Sequence, residues 1–165
     1  NPHQSASLYG NFNDYFTRLQ GKDLSYTNVI DIAAASHLVS EFLRPTVAIL
    51  KHTNPCGVGC ADEGEGLREA WEKAFETDKQ APFGGVIVCN RSLNEGLARV
   101  IAEIFTDIII APDFDSDARA ILQKKKSLRL IKVADEFFKN AINDPVVRSA
   151  PGCLLYTSPS PRDPH

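Results

Sequence analysis

The sequence predicts an α/β fold, a three-layer α/β/α sandwich. Segments with helical spacing of apolar residues alternate with short apolar runs between residues 27 and 133. Those short runs are apolar on both faces, which is typical of strands covered by helices on both sides of a sheet. The chain has 165 residues, with 43% hydrophobic and 24% charged residues, which fits one ordinary globular domain.

The first half of the pattern contains two helices and one strand. A helix is predicted over residues 27–43, because apolar side chains recur on one face, and Pro45 ends it. Residues 46–52, TVAILKH, form a short apolar run rich in β-branched residues, which predicts a strand. The clearest helix covers residues 65–77, where one stripe is apolar and the opposite face is charged.

The second half repeats the alternation. The predicted strands are residues 84–90, 107–112 and 128–133. The predicted helices are residues 94–105 and 117–126, with Ser116 as the N-cap of the second. The resulting βαβαβαβ order favours a sheet in the middle of the fold, with helices on both faces.

Composition excludes several classes of partner. The net charge of −3 gives no reason to expect a nucleic acid or an anionic membrane surface. No apolar run approaches the ~18 residues needed to span a bilayer. Four cysteines in a domain of this size do not form a small disulfide framework, so we expect reduced thiols in a cytoplasmic protein.

Lys51 and His52 end the strand predicted over residues 46–52. An imidazole is a suitable general base near neutral pH, and an ammonium group stabilises developing negative charge, so the pair is a candidate catalytic site. The alternative interpretation is a solvated strand end where neither residue has a role. The next four residues, 54–57 (NPCG), predict a turn with backbone N–H groups free to bind an anion.

A zinc site is a competing hypothesis for the same segment. His52, Cys56 and Cys60 offer one imidazole and two thiols, and Pro55-Cys56 is similar to half of a zinc deaminase motif. The thiols are, however, separated by three residues rather than two, and no H-x-E lies upstream. We therefore expect no catalytic metal.

Glycines precede the strand at residues 84–90. In Phe83-Gly84-Gly85 the glycine backbone would allow a planar ligand to approach, with Phe83 covering it. The alternative interpretation is that the chain enters the strand by a tight turn and that the glycines serve only packing. The Gly57-x-Gly59 spacing is too slight to predict a dinucleotide site.

Six segments taken together resemble a known family. They are NPHQSASLYG (1–10), GKDLSYTNVID (21–31), KHTNPCGVG (51–59), FGGVIVCNR (83–91), DIIIAP (107–112) and ILQKKKSLRLI (121–131). In this order they resemble the transformylase part of the bifunctional AICAR transformylase/IMP cyclohydrolase family, over residues 1 to about 150.

The resemblance implies transfer of a formyl group from 10-formyltetrahydrofolate to AICAR, giving FAICAR. It also implies a cytidine-deaminase-like fold without catalytic zinc, in a homodimer whose active sites lie at the subunit interface. Two rival functions are a zinc-dependent nucleoside deaminase and a non-catalytic assembly module on the same scaffold. The Lys51-His52 pair argues against the assembly module.

The resemblance assigns site residues by position. It implies that Lys51 and His52 are catalytic, and that the substrate-binding residues are His3, Asn28, Phe83, Gly84 and Asp107. Lys51 and His52 end their strand, whereas Phe83-Gly84 and Asp107 begin theirs. A shared site therefore requires the 46–52 strand to run antiparallel to the later two, which predicts a mixed sheet.

The resemblance divides the chain into two parts. Residues 1–150 correspond to the first of two deaminase-like halves, and the second half and the cyclohydrolase domain lie outside the chain. Residues 151–165 resemble translated adaptor sequence, so we expect a non-native tail that is disordered after Gly152. We expect the isolated chain to be inactive.

Overall fold

The computed structural model describes residues 7–141 and 147–156. The strands are Phe16–Gln20 (β1), Thr46–Lys51 (β2), Asn54–Cys60 (β3), Gly85–Cys89 (β4), Thr106–Ala111 (β5), Arg129–Val133 (β6), Val147–Ala150 (β7) and Cys153–Tyr156 (β8). The helices are Phe12–Tyr15 (α1), Tyr26–Ser40 (α2), Leu67–Thr77 (α3), Glu95–Ile101 (α4), Ser116–Leu122 (α5) and Asp135–Asn140 (α6).

Six strands form one mixed sheet in the order β1-β6-β5-β4-β2-β3. Strands β4, β5 and β6 are parallel, whereas β2 is antiparallel to both β4 and β3. The predicted mixed sheet is therefore confirmed. Because β2 runs in the opposite direction, its C-terminal end lies at the same end of the sheet as the beginnings of β4 and β5.

Helices cover both faces of this sheet, which confirms the three-layer prediction. Val47 and Ile49 of β2 pack in the core beneath α3, α4 and α5, whereas Ala48 and Leu50 pack in the core beneath α2 and α6. Alternate side chains of one strand are thus buried on opposite faces, so residues 47–50 are all apolar. Within the described residues, no helix combines the length and apolarity needed to cross a bilayer.

Every predicted helix and strand is present, but several boundaries differ. The first helix ends at Ser40, and the helix predicted over 94–105 ends at Ile101. Ser116 is the first residue of α5 rather than its cap, since the N-cap position is taken by Asp115, and α5 ends at Leu122. These helices end early because the chain must turn back to enter the next strand.

The prediction of a turn at residues 54–57 is wrong, because residues 54–60 form the edge strand β3. A Cβ on Gly57 would lie 2.0 Å from the carbonyl oxygen of Ala74, and a Cβ on Gly59 would lie 1.9 Å from that of Ala70. The two glycines therefore allow α3 to lie directly against β3. Their spacing has a packing role.

A separate hairpin lies at the end of the described chain. Strands β7 and β8 pair antiparallel, with Ala150 opposite Cys153 and Val147 opposite Tyr156. The prediction of disorder after Gly152 is wrong for residues 153–156, which form β8. Whether residues 151–165 are a non-native tail stays a prediction.

Candidate active site

The candidate site begins at the two-residue turn between β2 and β3. Lys51 is the last residue of β2, and His52 and Thr53 connect it to Asn54. His52 has φ 52° and Thr53 has φ 66°. A two-residue hairpin loop with two positive φ angles is typical of a type I′ turn, which normally contains Asn-Gly. Non-glycine residues in this region cost of order 1–3 kcal/mol each, and a β-branched threonine is especially unfavourable.

Three hydrogen bonds stabilise this turn. The Thr53 hydroxyl donates to the His52 carbonyl at 2.6 Å, and Asn54 Nδ2 donates to the same oxygen at 2.8 Å. The backbone N–H of Thr53 donates to Asp31 Oδ1 at 2.8 Å. Asp31 is buried on α2, so the third bond fixes the turn against a helix of the core.

The amine of Lys51 reaches the segment that precedes β4. Lys51 Nζ donates to the Phe83 carbonyl at 3.1 Å. Gly84 follows with φ 71°, a conformation that favours glycine. Phe83 is 66% exposed, and its ring centroid lies 5.1 Å from that of the exposed Phe105. The Lys51 amine therefore contacts the backbone of a residue whose ring belongs to an exposed aromatic pair.

A polar network occupies the start of β5. Asn28 and Ser25 form a capping box at the start of α2, in which the Asn28 side chain accepts from the Ser25 backbone N–H at 3.0 Å. The Nδ2 of Asn28 donates to Asp107 Oδ2 at 3.3 Å. Arg129 Nη1 donates to Asp107 Oδ1 at 2.5 Å. Both oxygens of Asp107 therefore have protein partners.

Sequence reasoning missed Arg129 and Asp31. Arg129 begins β6 beside the start of β5, and its side chain is only 13% exposed. The available signal was a charged residue at the first position of a strand, directly before two apolar residues. Asp31 lies three residues after Asn28, on the same face of α2. Its partner Thr53 could not be identified without the fold.

The structure brings most of the predicted site residues to one end of the sheet. They are Asn28, Lys51, His52, Phe83, Gly84 and Asp107. His3, also predicted to bind substrate, lies outside the described residues. This end of the sheet is therefore lined by an exposed imidazole, an amine, an aromatic pair and a carboxylate network.

The thiols near the turn do not form a metal site. Burial raises the pKa of the Cys56 thiol, and the nearby Asp78 carboxylate raises it further. Cys60 lies four residues further along β3, roughly 13 Å in extended chain. Across residues 7–141 and 147–156, no three His, Cys, Asp or Glu side chains are placed to hold a metal ion.

This arrangement suits a reaction that needs both a proton acceptor and a cation. The exposed His52 imidazole can accept a proton, and the adjacent ammonium of Lys51 can stabilise an oxyanion. The Phe83–Phe105 pair offers an apolar surface to a planar ring. The site thus combines a candidate proton acceptor and a cation with an exposed apolar surface.

Comparison with known proteins gives consistent family matches. The sequence profile of the AICARFT/IMPCHase bienzyme family matches residues 1–162. The bifunctional purine biosynthesis protein PurH of Chloroflexus aurantiacus is 48% identical over 162 residues, covering 96% of this chain and 31% of that protein. PurH of Chlorobium chlorochromatii is 49% identical over 141 residues, covering 79% of this chain and 26% of that protein. The chain thus spans about a third or less of the length of these relatives.

Two solved structures align with part of this chain. A dCMP deaminase from the cyanophage S-TIM5 has a TM-score of 0.47 and 11% identity, covering 61% of this chain and 94% of that one. A putative formate dehydrogenase accessory protein from Desulfotalea psychrophila has a TM-score of 0.46 and 12% identity, covering 77% of this chain and 55% of that one.

Proposed function

The chain belongs to the AICARFT/IMPCHase bienzyme family, and we propose from this that it contributes part of a transformylase active site. In this proposal a formyl group passes from 10-formyltetrahydrofolate to the 5-amino group of AICAR, and FAICAR is the product. The main support is the antiparallel β2, whose C-terminal end lies at the same end of the sheet as the start of β4, with the Lys51 amine bonded to the Phe83 carbonyl. The cyclohydrolase reaction of the family is assigned to residues outside this chain.

The proposed reaction needs a base and a cation. The lone pair of the AICAR amine is delocalised into its ring, so the amine is a weak nucleophile. The new bond joins the amine nitrogen to the formyl carbon, and the bond from that carbon to folate N10 breaks. The amine loses one proton and N10 gains one. A negative charge develops on the formyl oxygen during attack, and it needs a positive partner.

We assign these roles to the residues of the turn. His52 is exposed at the corner of the hairpin and accepts the proton of the amine. The Lys51 ammonium has three hydrogens, of which one is directed at the Phe83 carbonyl, so the others remain for the formyl oxygen. Adjacent residues of a strand point to opposite faces, but His52 lies in the left-handed turn rather than in the strand, so this alternation does not apply to it.

Substrate binding is assigned to the residues around the pair. Phe83 and Gly84 provide a surface for a planar ring, with Phe105 alongside. Asn28 and Asp107 provide polar contacts, and Arg129 keeps the Asp107 carboxylate oriented. His3 completes the proposed set at the beginning of the chain.

The wider setting is proposed from the family. We expect a cytoplasmic homodimer with active sites at the subunit interface, using formyl-folate as co-substrate, with no catalytic metal and no nucleic-acid or membrane partner. The exposed aromatic residues Phe83 and Phe105 are consistent with a site that a second subunit completes. Sedimentation of the full-length enzyme would measure the oligomeric state.

The proposal is tested by His52→Ala in a full-length enzyme that contains this segment. Loss of a general base should lower kcat by roughly 100-fold or more. AICAR affinity, measured by calorimetry, should change less, because the other binding residues remain. His37→Ala, on α2 outside the site, is the matched control and should keep normal turnover. Normal turnover with weakened binding in His52→Ala would show that His52 is a binding residue.

The role of Lys51 is tested separately. Lys51→Ala should lower kcat, because the cation is needed mainly when the oxyanion forms. Lys51→Arg keeps the charge but replaces a compact ammonium by a planar guanidinium that does not release a proton. If the arginine variant keeps nearly full turnover, Lys51 acts only as a charge.

A further inference from the structure

Asp31 is a buried carboxylate with no part in the site predicted from sequence. It is 9% exposed on α2, and its Oδ1 accepts the backbone N–H of Thr53 at 2.8 Å. A hydrogen bond to a carboxylate is shorter and stronger than one between neutral groups. A core helix therefore holds the backbone of the turn that contains His52.

The turn needs such support because its conformation is unfavourable. His52 and Thr53 are both left-handed. Histidine adopts this region more readily than most residues, but the β-branched Thr53 is a clear outlier there. Two of its three hydrogen bonds end on the His52 carbonyl and remain within residues 52–54. Of the three, the Asp31 bond is the one that reaches another element of the fold.

We propose that Asp31 is a positioning residue that fixes the left-handed His52-Thr53 turn and so sets the direction of the His52 imidazole. Its catalytic consequence depends on the function proposed above, although its effect on the turn does not. Asn28, on the same face of α2, holds Asp107 at the start of β5. One face of α2 thus sets the spacing between the turn and the polar network.

The structural part is tested by amide hydrogen exchange at Thr53 in the 165-residue chain. Asp31→Ala removes the acceptor, so exchange at Thr53 should accelerate by about 10-fold or more, while amides of β4 stay protected. Asp31→Asn retains an oxygen that can accept, so it should keep most of the protection. If Asp31→Ala leaves Thr53 exchange unchanged, the proposal is wrong.

The catalytic part is tested in the full-length enzyme. Asp31→Ala should lower kcat about 10-fold with a smaller change in the KM for AICAR, and Asp31→Asn should recover most of the loss. Thr53→Gly in the Asp31→Ala background should also recover kcat, because glycine adopts a φ of 66° without strain.

A purely structural role gives a different pattern. It would reduce the folded fraction without changing kcat per folded molecule, and Thr53→Gly would then raise the folded fraction and leave kcat per folded molecule unchanged. Either result, or unchanged kcat in Asp31→Ala, overturns the positioning role. Absence of formyl transfer in the unsubstituted enzyme would instead refute the proposed function, and the exchange experiment would still decide whether Asp31 fixes the turn.

Discussion

Replacing Gly59 by alanine introduces a methyl group into the contact between β3 and α3. The new Cβ would lie 1.9 Å from the Ala70 carbonyl oxygen and 2.6 Å from the Ala74 nitrogen. Both are backbone atoms of α3, so neither can rotate away as a side chain would. Strand and helix must therefore separate by roughly 1 Å to remove the overlap.

The separation should be costly. Overpacking a core typically costs about 1–3 kcal/mol, and the upper end applies here because a whole helix must move. For a chain of this size, about 3 kcal/mol corresponds to a fall in Tm of roughly 6–12 °C. Trp71, the single tryptophan, lies on α3 and is 5% exposed, so its fluorescence measures unfolding at this contact.

Gly96→Ala is the matched control. Gly96 lies within α4, and a Cβ there would have its nearest neighbour at 3.5 Å, which is ordinary contact. Alanine inside a helix is favoured over glycine by up to about 1 kcal/mol, so this variant should be as stable as the original or more so. If Gly59→Ala unfolds at the same temperature as the unsubstituted chain, α3 does not approach β3 as described.

Three further outcomes are expected. Burial raises the pKa of Cys89 to about 12, so almost no Cys89 thiolate is present at pH 8. A disulfide reagent should therefore modify the exposed Cys153 first and Cys89 only on unfolding. Rapid modification of Cys89 in the native chain would contradict its burial. Arg129→Met removes the hydrogen bond to Asp107 and two to the Asp23 carbonyl oxygen. Because these groups are partly exposed to solvent, the free energy of unfolding in urea should fall by about 1 kcal/mol, and an unchanged midpoint would show that the polar contacts of Arg129 contribute no stability. The isolated 165-residue chain should show no formyl transfer in a turnover assay, and measurable turnover would refute the expectation that other residues complete the site.

The central strands were predictable from sequence because burial on both faces leaves an apolar run. Strands β2, β4 and β5 follow this rule over most of their length, whereas β6 follows it only at Leu130, Ile131 and Val133. The predicted ranges of all four strands lie close to the observed ones. Edge strands do not follow it. β1 has a mixed, partly exposed pattern, and β3 contains a proline and two glycines, residues that are depleted in strands.

The turn was missed for a related reason. A type I′ turn is normally signalled by Asn-Gly, and His52-Thr53 has neither residue. Its conformation is stabilised by Asp31, which is 22 residues away in sequence. The catalytic candidates Lys51 and His52 could be identified from a strand end, whereas Asp31 and Arg129 depend on partners that only packing brings together.

The two-residue connection between β2 and β3 leaves no tolerance for a change in chain length. Cys56 is the extra residue of a bulge, and beyond it Gly57 pairs with Ile49 and Gly59 with Val47. Inserting or deleting one residue in the connection would shift this register and turn Val58 toward α3, where no side chain fits. Natural insertions in this family are therefore expected in the other connections of the fold, and a sequence with an altered hairpin length here would need a compensating change within β3.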